Sequence, residues 1–144
     1  MIELAIVFPV LLLLFAGTAE IGRLFYTYTT LSKATDVGAR YLSVQRDLRS
    51  ATPATVAAAK LKGQNLVVCG YIDCTNKTPL VTGLATSNVV VTLPVSTDVV
   101  KYVKVEIQNF TYQPGVFNIA NLTGKSSSTF YFSLTASTRN RYMP

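Results

Sequence analysis

Few side chains in this sequence carry reactive groups, and those that do are widely spaced. The 144 residues include no histidine, seven carboxylates and two cysteines, Cys69 and Cys74. A structural zinc site wants four soft ligands, which this inventory does not supply. Acid–base and nucleophilic catalysis need a base held beside a nucleophile. Here the carboxylates are dispersed and no Gly-rich phosphate loop occurs. The sequence therefore predicts a protein that is not an enzyme and that uses no cofactor and no metal. Cys69 and Cys74, five positions apart, can close a small loop as a disulfide or stand as free thiols, and a bridge persists only in an oxidising compartment. Asn76, Asn109 and Asn121 each begin an Asn-x-Thr triplet, an acceptor pattern for N-glycosylation in exported proteins that also arises by chance in a Thr-rich chain.

Two ionic arrangements remain. Glu3 precedes sixteen uncharged, mostly apolar residues, Leu4 to Ala19, and Glu20 closes the run. A carboxylate among aliphatic side chains costs several kcal/mol unless it is paired. The nearest cation that an assembling copy offers Glu3 is the α-amino group of its neighbour, a pairing that would set axial register. Otherwise Glu3 sits at a membrane surface. Glu20 and Arg23 are spaced to pair on one helix face, and could equally pair between subunits.

These groups must be positioned by long elements. The run from Leu4 to Ala19 would cover about 24 Å as a helix, slightly short of a hydrocarbon core of about 30 Å. It can cross a membrane once or form the core of a filament, since no other part of the chain is apolar enough to surround it. A cleavable secretory signal fits less well: no basic segment precedes the run, a carboxylate stands at position 3, and no small-x-small cleavage site leads into a new domain, since an amphipathic helix follows directly. Pro9 should kink or loosen the helix near Ile6 to Pro9, which a lipid or bundle setting tolerates. Helical periodicity continues through Ile21, Leu24, Tyr28, Leu31, Ala34, Val37, Tyr41, Val44 and Leu48. Weak helix formers such as Thr27, Thr29, Thr30 and Thr35 in this half imply that packing holds it helical.

Thr52 and Pro53 read as the cap and first turn of a second helix that should stop near Gly63. From Asn88 onward the period becomes two. Val89, Val91 and Leu93 share one face of a strand, as do Val103, Val105 and Ile107 of a second and Phe130, Phe132, Leu134 and Ala136 of a third. A parity change between Ile107 and Phe110 predicts a bulge at Gln108 and Asn109. Turn-rich connections at Gln113-Pro114-Gly115 and Gly124-Lys125-Ser126 fit an antiparallel sheet with one face open for helices. The expected fold is α+β: a long N-terminal helix over residues 1–50, serving as anchor and filament core, and a head over residues 51–144 with a short helix and a three-stranded antiparallel sheet. The net charge of +6 is scattered, without a Lys/Arg cluster interleaved with aromatics, so no specific nucleic-acid partner is expected. The aromatic residues of the helix (Phe25, Tyr26, Tyr28 and Tyr41) and of the last strand (Phe130, Tyr131 and Phe132) are expected to serve core packing.

Glu3 before the apolar run, Glu20-Ile21-Gly22-Arg23-Leu24-Phe25-Tyr26 at its end, Gly38-Ala39-Arg40-Tyr41 beyond, and Thr135-Ala136-Ser137-Thr138-Arg139-Asn140 near the C-terminus together resemble the TadE-like pilins, the pseudopilin-type subunits of tight-adherence systems in the type IV pilus superfamily. The resemblance implies a prepilin cut by a prepilin peptidase, held in the inner membrane, and extruded by an assembly platform into an extracellular homopolymeric fibre for adhesion or surface attachment. It implies that Glu3, Leu4, Phe8, Pro9, Leu12, Leu13, Phe15, Glu20 and Arg23 serve filament assembly. In relatives the carboxylate stands at the fifth position of the mature chain. Here it is at position 3, so either two residues and a leader precede Met1 or cleavage falls differently. A minor pseudopilin that primes or tips such a fibre, or a single-pass surface-binding protein, is the alternative reading.

Overall fold

In a computed structural model, which describes residues 2–45, 48, 52–93, 102–114 and 132–143, the N-terminal pattern becomes one helix, α1 (Ile2–Ser43), about 63 Å long at 1.5 Å per residue. It passes through Pro9 as continuous helix. Several of its threonines return their hydroxyls to backbone one turn back: Thr18 donates to the Phe15 carbonyl, and Thr29 and Thr30 both donate to that of Tyr26. A side chain that bonds its own backbone adds little to helix stability, so this half depends on packing, as its composition predicts.

Helix α1 stops at Ser43, five residues before the periodicity runs out at Leu48. The last carbonyls of a helix have no partner within it, and here the C-terminal segment of the chain supplies one. Met143 N–H donates to the Ser43 carbonyl at 3.1 Å, the Tyr142 hydroxyl donates to the Gln45 carbonyl at 2.7 Å, and Leu48 N–H donates to the Tyr142 hydroxyl at 3.3 Å. Tertiary bonding outcompetes another helical turn. Residues 46, 47 and 49–51 lie outside the description.

The second helix, α2 (Pro53–Cys69), begins as expected, with Thr55 N–H on the Thr52 hydroxyl and Pro53 in the first turn. It does not stop at Gly63. It runs six residues further, to a cap at Gly70 in the left-handed region (φ 79°), whose N–H reaches the Leu66 carbonyl. Gly63 is buried in the helix interior because α1 presses on it: a β-carbon there would lie 2.7 Å from Leu42 Cδ1. Opposite it, a β-carbon on Gly38 would lie 2.5 Å from Val67 Cγ2. The two glycines let α1 and α2 approach closely, and that packing offsets a helix-propensity cost of about 1 kcal/mol for a mid-helix glycine.

After a short 3₁₀ turn (Thr86–Asn88), strands β1 (Val89–Thr92), β2 (Tyr102–Tyr112) and β3 (Phe132–Arg141) form an antiparallel sheet in the order β1-β2-β3. The expected bulge is present: register shifts between Ile107 and Phe110, and Asn109 takes a positive φ of 55°. Asn88 Nδ2 donates to the carbonyls of both Gln108 and Asn109, partnering groups that the bulge takes out of the ladder. Beyond the bulge, Phe110 and Tyr112 return to the covered face. Residues 115–131 lie outside the description, including Phe130, Tyr131 and the turns at Gly115 and Gly124-Lys125-Ser126.

One face of the sheet is covered by the C-terminal half of α1 and by α2, as the alternation requires. Leu31, Leu42, Val67, Val103, Val105, Ile107 and Phe110 make the centre of the core. The buried seam of α1 differs from the expected stripe. Leu31 and Ala34 are buried, Leu24, Tyr41 and Leu48 are half-buried, and Ile21, Tyr28, Val37 and Val44 are exposed. Their places are taken by Glu20, Thr35, Gly38, Ala39 and Leu42. Small residues let the helix lie closer to the sheet, which favours the seam through Ala34, Gly38 and Ala39 over the bulkier one beside it. Thr35 is admitted because its hydroxyl donates to the Ser32 carbonyl and pairs with that of Thr138 on β3.

Candidate assembly and anchoring surface

The N-terminal half of α1 extends beyond the head without cover. Leu4, Phe8, Pro9, Leu12, Leu13 and Phe15 are all exposed, Leu4 and Phe15 to 74%. Among the described side chains from Leu4 to Ala19 none is buried. By length and composition helix α1 is able to cross a membrane, and its N-terminal half is not a core helix of its own chain. Glu3 lies in the first turn of α1; its side chain is outside the description.

Where the bare helix enters the head, Glu20 is only 7% exposed. The Tyr112 hydroxyl, at the end of β2, donates to Glu20 Oε1 at 2.7 Å. Arg23 Nη1 stands 4.0 Å from Glu20 Oε2 one turn on, its own side chain largely in solvent. The expected Glu20–Arg23 pair is thus present within the helix at long range, and the shorter bond is one that sequence reasoning missed. Burial, together with the hydrogen bond to Glu20, pushes the Tyr112 phenol up to about 12. The available signal was parity: the bulge that returns Phe110 to the core face returns Tyr112 as well, though nothing local names Glu20 as its partner.

Beside this contact lies an open cleft of about 720 Å³ between α1, the loop at Leu80 to Gly83 and the end of β2, lined in part by Gly22, Arg23, Tyr26, Leu80 and Tyr112. The loop is tied above it. Cys69 and Cys74 are joined as a disulfide across a Cα separation of 5.9 Å, Asn65 Nδ2 donates to the Ile72 carbonyl, and Leu80 N–H donates to that of Val68. Inside the loop, the Thr75 hydroxyl and N–H both donate to Asp73 Oδ1 and hold that carboxyl below the usual range. Lys77 rests over the Tyr71 ring.

Asn76 and Asn109 are both exposed, each with a positive φ, at separate places on the head. Asn121 lies outside the described residues. The structure therefore brings Glu20 and Arg23 together, sets the apolar candidates around one bare rod, and joins the cysteines.

Residues 1–40 match the family model of the TadE-like proteins. The match covers nearly all of α1, so the chain is similar over that helix to a pilus-associated family. No curated protein and no solved structure matches the chain.

Proposed function

We propose that this protein is a structural subunit of an extracellular filament, a Tad-like pilus, for adhesion or surface attachment. Before assembly it is held in the inner membrane by the bare half of α1. A prepilin peptidase and an inner-membrane assembly platform then release it into a fibre whose core is built from copies of that half. The observation that carries this reading is the exposure of every described large apolar side chain from Leu4 to Phe15 in a chain whose other half-helix buries a seam against the head. Covering one such side chain is worth about 1.5–3 kcal/mol, so ten turned to water would not be stable. Lipid covers them in the precursor and neighbouring rods cover them in the fibre. In that fibre Glu3 would pair with the α-amino group of a neighbour.

The test is electron microscopy of fibres sheared from cells, with mass spectrometry of their subunits, for the natural protein and for Leu12→Asp. Fibres made mostly of this chain are expected from the first and none from the second, while the head of the variant still folds and forms its disulfide. Abundant fibres from Leu12→Asp would overturn the proposal. Recovery of the natural chain only as a trace in fibres of another protein would replace it with the reading of a minor, priming or tip subunit.

A further inference from the structure

Around the neck, where the bare rod meets the head, apolar side chains stand exposed on three elements. Ile21, Phe25 and Tyr26 project from α1, Leu80 from the loop after the disulfide, and Phe132 from the start of β3. Phe132 is paired across the sheet with Tyr112, whose hydroxyl binds Glu20, and Leu80 lines the same cleft as Gly22 and Tyr26. All five therefore lie near one level of the long axis, spread over about 10 Å. Phe25, Tyr26 and Phe132, expected to serve core packing, are exposed instead.

Length supplies the argument for what covers them. The run from Leu4 to Ala19 falls about 6 Å short of a hydrocarbon core of about 30 Å, a deficit of about four helical residues. Making it up draws the helix in to Arg23, which places Leu24 to Tyr26 at the headgroup layer. Aromatic rings and arginines with apolar stems favour that layer. A bare carboxylate at this depth would be costly, but Glu20 is enclosed by the head and bonded to Tyr112. Lipid is also continuous with the medium that covers the rod below, and it can reach all sides of the neck together, whereas a single neighbouring subunit reaches one.

We infer that in the membrane-anchored subunit the base of the head is seated in the lipid headgroup layer, with Phe25, Tyr26, Leu80 and Phe132 against lipid and Glu20 shielded by Tyr112. The inference rests on the anchoring half of the proposed function and adds the depth at which the head stands. The far end of the head, at Tyr102, is about 30 Å away along β2 and stays in water.

The chain has no tryptophan, so a single introduced one reports its own surroundings. Full-length Phe132→Trp, Phe25→Trp, Tyr102→Trp and Phe15→Trp proteins are reconstituted into phosphatidylcholine–phosphatidylglycerol vesicles carrying lipids brominated near the headgroup or deep in the acyl chain. Phe132→Trp and Phe25→Trp are expected to shift to the blue and to lose emission to the shallow quencher, Phe15→Trp to the deep one, and Tyr102→Trp to neither. Two neck positions are probed so that a local packing fault at one does not decide the result. If Phe15→Trp is quenched while both neck probes behave like Tyr102→Trp, the seating is overturned and the anchor stands. If Phe15→Trp escapes quenching too, the anchoring reading falls and the seating with it. A blue shift at the neck that disappears as protein is diluted in lipid, without bromine quenching, assigns the neck to a second copy and also overturns the proposal.

Discussion

The two halves of α1 differ in composition and in surroundings: Leu4 to Phe15 is apolar throughout, whereas Leu31 to Leu42 mixes apolar with polar and charged residues. From Leu31 to Leu42 the helix buries a narrow seam of Leu31, Ala34, Thr35, Gly38, Ala39 and Leu42 against the sheet and α2. From Leu4 to Phe15 it presents large side chains to every side and buries none of those described. A half-helix whose small residues admit a neighbour closely is made for one fixed partner surface. A half-helix greasy all round is made for a surrounding medium or for several identical neighbours. The first property gives the head its stability; the second gives the chain its proposed place in a membrane and a fibre.

Truncation should separate the halves most sharply. Leu42→Ala should cost the head about 2–5 kcal/mol, whereas Leu12→Ala should leave it within about 0.5 kcal/mol of the natural chain. Urea unfolding of the full chain in mild detergent, followed by near-UV circular dichroism, measures both. Equal losses would mean that the rod packs on its own head after all.

Glycine replacement sharpens the same contrast. Gly38→Ala and Gly63→Ala push a β-carbon into Val67 and Leu42 respectively and should each cost about 1–3 kcal/mol by overpacking. Gly22→Ala meets no atom within 4 Å and should instead stabilise the helix by about 0.5–1 kcal/mol. The same unfolding assay, with helicity as a second signal, reads all three.

Reducing the Cys69–Cys74 bridge should lower head stability by about 2 kcal/mol on a chain-entropy model. Unfolding with and without a reductant checks this, and the thermal stability of Leu12→Ala should fall in parallel with that of the natural chain, since the bridge belongs to the head alone.

A further modest loss is expected at the junction of the two regions. Tyr112→Phe removes a hydrogen bond to a buried carboxylate and should cost about 1–2 kcal/mol at neutral pH. Because the folded state raises the Tyr112 phenol to about 12 from an ordinary 10, the folded protein holds that proton more tightly than the unfolded one. Its stabilisation is complete below about pH 10 and is lost as pH rises from 10 through 12. Unfolding free energies measured across that window should decline for the natural chain and decline less for Tyr112→Phe.

Much of this architecture is legible in local patterns. Strand alternation from Val103 to Ile107, the bulge at Gln108 and Asn109, the Thr52–Pro53 helix start and the uncovered rod all appear where the residue pattern puts them. Each depends on residues within a few positions of one another. The errors fall where distant segments decide. Gly63 reads as a stop until Leu42 is seen to press on it. The end of α1 reads as Leu48 until Tyr142 and Met143 take its last carbonyls. Ile21, Tyr28, Val37 and Val44 read as core because helical periodicity identifies an apolar flank without saying which of two adjacent flanks meets the sheet.

The sequence by itself determined the length and greasiness of the rod, the α+β order of elements and the possibility of a short-range disulfide, because helix and strand periodicities and a five-residue loop are properties of neighbouring residues. Only the tertiary structure decided which seam of α1 is buried, how closely α1 and α2 approach, and that Glu20 is enclosed by Tyr112, ninety-two positions away. Burial of a polar group is settled by the segment that folds over it, and no local pattern specifies that segment.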